Sequence, residues 1–134
     1  MKRLILVTMS VIMFLISGCG SEITVVWPIF QYDPPTISDF IYSQDTVNSY
    51  VDGTIDFYAP DHDLDSITIS VRDSRGVEIQ RTVTSLDGYS GQSSGTIAFS
   101  IDYINYQPDD YYFTIYLTDY WGYMSNPVYG SFSV

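Results

Sequence analysis

Hydrophobic and polar residues alternate with a period of two in seven short segments that follow residue 35. In the clearest segment, residues 111–118, Phe113, Ile115 and Leu117 alternate with tyrosine and threonine side chains. Because successive side chains of a strand point to opposite faces of a sheet, this pattern predicts a half-buried strand. The predicted strands span residues 36–42, 50–58, 66–73, 77–84, 95–103, 111–118 and 128–134.

These seven segments predict an all-β domain. No segment keeps a helical period of 3.6 residues between capping residues. Seven alternating strands within about 100 residues are typical of one antiparallel two-sheet sandwich. The side chains expected to face one another in its core are Ile55, Phe57, Ile69, Val71, Ile97, Phe99, Phe113, Ile115 and Phe132.

Residues 1–18 have the pattern of a secretory signal peptide. Lys2 and Arg3 precede an uncharged apolar run over residues 4–16, and small residues follow it. As a helix the run would span roughly 20 Å, whereas a bilayer's hydrocarbon core is about 30 Å thick. We therefore expect the segment to direct export and not to remain as a transmembrane anchor.

Residues 16–19, Ile-Ser-Gly-Cys, resemble the lipobox of bacterial lipoproteins. The resemblance implies cleavage before Cys19, lipid attachment to its sulfur and acylation of the new amine. Because Gly20 follows the cysteine, it also implies the outer membrane where the host has two membranes. Residues 19–35 would then be an apolar tether. It either packs on the domain as an extra edge strand, or is poorly ordered, or places Trp27 and Phe30 at the membrane interface.

The charge of the chain limits its partners. The full sequence carries a net charge of −11. Loss of residues 1–18 would leave three arginines against all sixteen acids, a net charge of −13. Such a charge argues against nucleic acid and against a basic patch for anionic lipid.

From residue 34 onward the chain resembles bacterial immunoglobulin-like domains of the cadherin-like and polycystic-kidney-disease-like kind. The matching segments are residues 35–38 (Pro-Thr-Ile-Ser), the acidic turn 59–65, Asp110-Tyr111, and the strand exit 118–126. Asp109 and Tyr123 depart from the family's usual glycine and asparagine. The resemblance implies an immunoglobulin-like sandwich over residues 36–134. It also makes Tyr111 a tyrosine corner, whose hydroxyl should bond the backbone of residues 104–110.

In a sandwich of this strand order the loops after strands two, four and six meet at one end. The carboxylates expected to gather there are Asp61, Asp63, Asp65 and Asp119. Clustered carboxylates supply the oxygen ligands that Ca²⁺ needs, so a weak calcium site is one hypothesis. The alternative is that these aspartates bond backbone amides and shape turns.

Aromatic residues suggest a contact surface. The sequence places Tyr112, Tyr116 and Tyr129 on the outer side of strands six and seven, and Tyr120, Trp121 and Tyr123 in the loop between them. Single exposed aromatic side chains are common, but a group of them on one surface marks a binding site. Cross-strand pairing or burial under the tether is the alternative.

Catalytic patterns are sparse, because the sequence has one histidine, His62, and neither a Gly-x-Ser-x-Gly motif nor a phosphate-binding loop. We therefore expect a non-catalytic binding or structural module, lipid-anchored in the bacterial cell envelope. The alternatives are a calcium-dependent adhesive or glycan-binding domain, and an accessory subunit of an envelope protein complex.

Overall fold

The computed structural model describes residues 32–134, which form seven antiparallel strands in two sheets. The predicted signal peptide, Cys19 and the tether up to residue 31 lie outside the described residues. The strands are β1 (Thr36–Asp45), β2 (Tyr50–Tyr58), β3 (Leu64–Arg72), β4 (Glu78–Ser85), β5 (Ser94–Asp102), β6 (Asp110–Asp119) and β7 (Val128–Ser133). Within residues 32–134, no helix is long and apolar enough to cross a bilayer.

The two sheets form a β-sandwich, as the sequence predicts. One sheet has the strand order β1-β2-β5 and the other β4-β3-β6-β7. In the constant-type immunoglobulin arrangement the fourth strand joins the sheet of the first, second and fifth strands. Here β4 pairs instead with β3, so β4 and β7 are the two edges of the larger sheet.

The core lies between the sheets and contains all nine predicted side chains. Phe113 is at its centre, 1% exposed, and its ring contacts those of Phe40, Phe99 and Phe132. Opposite Phe113 in the register lies Gly130. Any side chain at this glycine would collide with the Phe113 ring.

The central strand β3 is buried on both faces over most of its length. Thr68 and Ser70 alternate with the core residues Ile69 and Val71 and so point to the outer face of the sheet, yet each is buried. Ser70 donates a hydrogen bond of 2.6 Å to the carboxylate of Glu78, which also binds Arg81 at 3.0 Å. Side chains of the neighbouring strand thus cover the outer face of β3.

Side chains join β1 to β7 and to the loop that precedes β7, across the open side of the sandwich. The Asn126 amide accepts from the backbone N–H of Ile37 at 2.8 Å and donates to its carbonyl at 3.0 Å. The hydroxyl of Tyr42 makes the equivalent pair with the backbone of Ser131, at 3.1 and 3.3 Å. These contacts fix the first strand against the last.

The predicted tyrosine corner is present. Tyr111 is buried, and its hydroxyl donates to the carbonyl of Gln107 at 2.7 Å, within the expected loop. The bond anchors the loop before β6 at the end of the sandwich opposite the acidic turns.

Candidate functional site

The three loops that the sequence places at one end do meet there. The His62 carbonyl accepts from Gly91 N–H at 3.1 Å, and the Asp63 carbonyl accepts from Tyr120 N–H at 3.0 Å. Leu86 N–H donates to the Asp65 carbonyl at 2.7 Å. The loop after β2 therefore bonds to both of the other loops through its backbone.

Two of the four predicted carboxylates bind backbone amides. Asp61 accepts from the N–H of Asp33 at 2.9 Å. One oxygen of Asp119 accepts from Trp121 N–H at 2.9 Å and from Tyr123 N–H at 2.8 Å. Asp119 is 2% exposed, and its two hydrogen bonds hold the turn that follows β6.

Asp63 and Asp119 form an unusual pair at this end. One carboxylate oxygen of each is buried without a hydrogen-bond partner. Desolvation by burial, together with the charge of Asp119, raises the pKa of Asp63 above its usual value. Both causes disfavour the charged form of the Asp63 carboxyl group.

The predicted calcium site is not assembled in the described part of the chain. Within residues 32–134, no three Asp, Glu or His side chains are grouped closely enough to hold a metal ion. Ca²⁺ takes six to eight oxygen ligands, so the pair Asp63 and Asp119 would have to be supplemented by other groups. Calcium binding stays a prediction.

The loop after β6 presents an aromatic surface, which we call the aromatic crown: Tyr120, Trp121, Tyr123 and Met124. All four side chains are exposed, with Trp121 64% exposed. Gly122 has a φ of 88°, a left-handed conformation that suits glycine at this tight turn. Together with the carboxylate of Asp119, this turn holds the rings away from the core.

Tyr32, just before the first strand, contacts the aromatic crown. Its ring centroid lies 5.0 Å from that of Trp121 and 6.5 Å from that of Tyr123. Sequence reasoning missed both Tyr32 and Met124. Tyr32 has no local signal, because it meets the crown only when the fold places the start of β1 beside the end of β6. Met124 directly follows Tyr123, and its apolar side chain alone did not mark it as exposed.

A second aromatic surface lies on the outer face of the larger sheet, which we call the tyrosine face: Tyr112, Tyr116 and Tyr129. Tyr112 is 54% exposed and Tyr129 68% exposed, whereas Tyr116 is half-buried. Arg81 is adjacent to this face, and its pKa is raised mainly by Glu78 and further by Tyr116. The six predicted aromatic residues thus form two separate surfaces.

Comparison with protein-family models and with curated protein sequences gave no match. Solved structures similar to this chain include OgpA from Akkermansia muciniphila, at 12% identity and a TM-score of 0.57. That alignment covers 74% of this chain and 27% of OgpA. A putative β-galactosidase from Bacteroides fragilis aligns at 14% identity and a TM-score of 0.50, over 75% of this chain and 17% of the enzyme. At such identities the likeness shows the β-sandwich fold alone.

Proposed function

We propose that the protein is a lipid-anchored, non-catalytic module of the bacterial cell envelope that binds a partner through its tyrosine face. The anchor is Cys19, which closes the lipobox-like segment at the end of the apolar run and is separated from the sandwich by a short tether. Several acyl chains, each contributing about 0.8 kcal/mol per buried CH₂, give stable membrane attachment.

The observation that carries the binding role is the exposure of Tyr112 and Tyr129 on neighbouring strands of a well-packed sheet. Tyr129 lies opposite Thr114, two residues from Tyr112, so the two tyrosines are diagonal neighbours on one face. Tyrosine supplies a large amphipathic contact at low entropic cost, because only two torsions must be fixed. An envelope protein and a glycan both fit such a surface.

The outer face of the smaller sheet offers a matched control. Tyr50 and Tyr58 are also exposed, on the outward side of β2. A photo-crosslinking amino acid placed at position 129 should give a specific adduct in intact cells, and the same group at position 58 should not. Mass spectrometry of the adduct would distinguish a protein from a glycan. Equal crosslinking at both positions, or none at either, would contradict a binding role for the tyrosine face.

A further inference from the structure

We infer that the aromatic crown is the membrane-facing end of the domain and lies in the polar interface of the bilayer that holds the lipid anchor. This inference rests on the proposed anchoring through Cys19. It assigns the crown a lipid partner that is separate from the partner of the tyrosine face.

The first argument is where the chain joins the sandwich. Tyr32 lies against Trp121 and Tyr123, and the N–H of Asp33 is bonded to Asp61 in the adjacent loop. The chain that leads back to Cys19 therefore leaves the domain at the crown. Because Cys19 is thirteen residues before Tyr32, the crown lies at most about 45 Å from the lipidated residue along the chain.

The second argument is the direction of the strands. Leu64 at the start of β3 pairs with Asp119 beside the crown, and Arg72 at its end pairs with Tyr112. At about 3.3 Å per residue, the ten residues of β6 separate the two ends of the sandwich by roughly 30 Å. The described chain thus begins at the crown end of the sandwich, and the turn containing Arg75 is at the other end.

The third argument is the chemistry of the exposed side chains. Tryptophan and tyrosine combine an apolar ring with a polar group, and they are enriched at the depth of lipid headgroups. Trp121 and its neighbours are held outward by a turn fixed through Asp119, so the rings stay available to a flat surface. Met124 adds an exposed apolar side chain.

The charges indicate which lipids the crown would contact. Arg72 and Arg75 are at the far end of the sandwich, and acidic residues such as Asp61 and Asp87 occupy the loops beside the crown. Attraction to anionic lipid is therefore excluded as the driving force, and zwitterionic headgroups are the expected partner. The contact can be weak, because the tether raises its effective concentration.

The test uses the full lipidated protein in phosphatidylcholine vesicles that contain brominated phosphatidylcholine. Trp27→Phe makes Trp121 the sole tryptophan of the chain. We expect its emission to shift to the blue and to be quenched by the brominated lipid. In the matched control, Trp27→Phe and Trp121→Phe are combined with Tyr129→Trp, and this tryptophan should be quenched by aqueous acrylamide and not by the lipid.

The outcomes distinguish a failure of the lipid anchor from a failure of the proposed membrane orientation. Protein that fails to float with the vesicles would refute the anchor at Cys19 and the orientation with it. Protein that floats, with Trp121 quenched by acrylamide and not by brominated lipid, would refute the orientation alone. Protection of Trp121 from both quenchers would show that protein covers the crown, for example a second copy, and would also refute the membrane contact.

Discussion

Replacing Gly130 with alanine should test the packing of β7 against β6. A Cβ atom at Gly130 would lie 2.2, 2.5 and 2.9 Å from three atoms of the Phe113 ring, far inside van der Waals contact. Phe113 is enclosed by the rings of Phe40, Phe99 and Phe132, so it cannot move aside freely. The substitution therefore forces extra volume into a filled core.

Overpacking of this kind costs typically about 1–3 kcal/mol of unfolding free energy. For a domain of 60–100 residues, each kcal/mol lowers Tm by roughly 4–8 °C. Thermal and denaturant unfolding of purified Gly130→Ala would measure both quantities. Gly88→Ala is the matched control, because a Cβ at Gly88 meets no atom within 4 Å, and it should change stability by less than about 0.5 kcal/mol.

A second substitution identifies the cause of the loss. Phe113→Leu removes the outer ring atoms that a Cβ at Gly130 would meet, so the double variant should lose less stability than the two single variants together. Contacting residues typically show coupling free energies of about 0.5–3 kcal/mol. Strict additivity, or a Gly130→Ala variant as stable as Gly88→Ala, would mean that the Phe113 ring does not lie over Gly130.

Three further changes test other parts of the structure. Phe113→Ala should cost roughly 3–5 kcal/mol in denaturant unfolding, because it empties the centre of the core, and a loss under 1 kcal/mol would place Phe113 outside it. Tyr111→Phe should cost about 0.5–1.5 kcal/mol, because the carbonyl of Gln107 loses its donor; an unchanged Tm would contradict the tyrosine corner. Asp63→Asn should raise Tm at pH 7 and lose this advantage under acidic conditions. Since the folded pKa of Asp63 is raised above 3.8, the native protein loses stability as pH rises from 3.8 through the folded pKa. A Tm gain independent of pH would refute the raised pKa of Asp63.

The alternation of side chains was sufficient to predict the strands and the core. In an alternating strand the apolar side chains all lie on one face, and that face must be the buried one. Ile55, Phe57 and Ile115 could therefore be assigned to the core from the sequence. Strand ends were less well predicted: β1 continues to Asp45, three residues beyond its predicted end. Residues 43–45 are polar, and they join the sheet through backbone pairing with β2, which no side-chain pattern reports.

The candidate site could be predicted only in part. Its loops converge as the strand order implies. Aspartate, however, both stabilises turns and binds cations, and the local sequence does not distinguish these two roles. In the structure Asp119 accepts backbone N–H groups of its own turn, and Asp61 accepts the distant N–H of Asp33, which fits the alternative that these aspartates bond backbone amides. The contact between Tyr32 and Trp121 joins residues 89 positions apart, so only the folded chain reveals it.

Mass spectrometry of the protein from the membrane fraction of its native host tests the central claim most directly. We predict a mature chain that begins at Cys19 and carries acyl groups on the cysteine, and we predict that Cys19→Ala releases the protein from the membrane or leaves its signal peptide uncleaved. A chain that retains Met1, or that begins elsewhere with an unmodified cysteine, would contradict the account of a lipid-anchored envelope module.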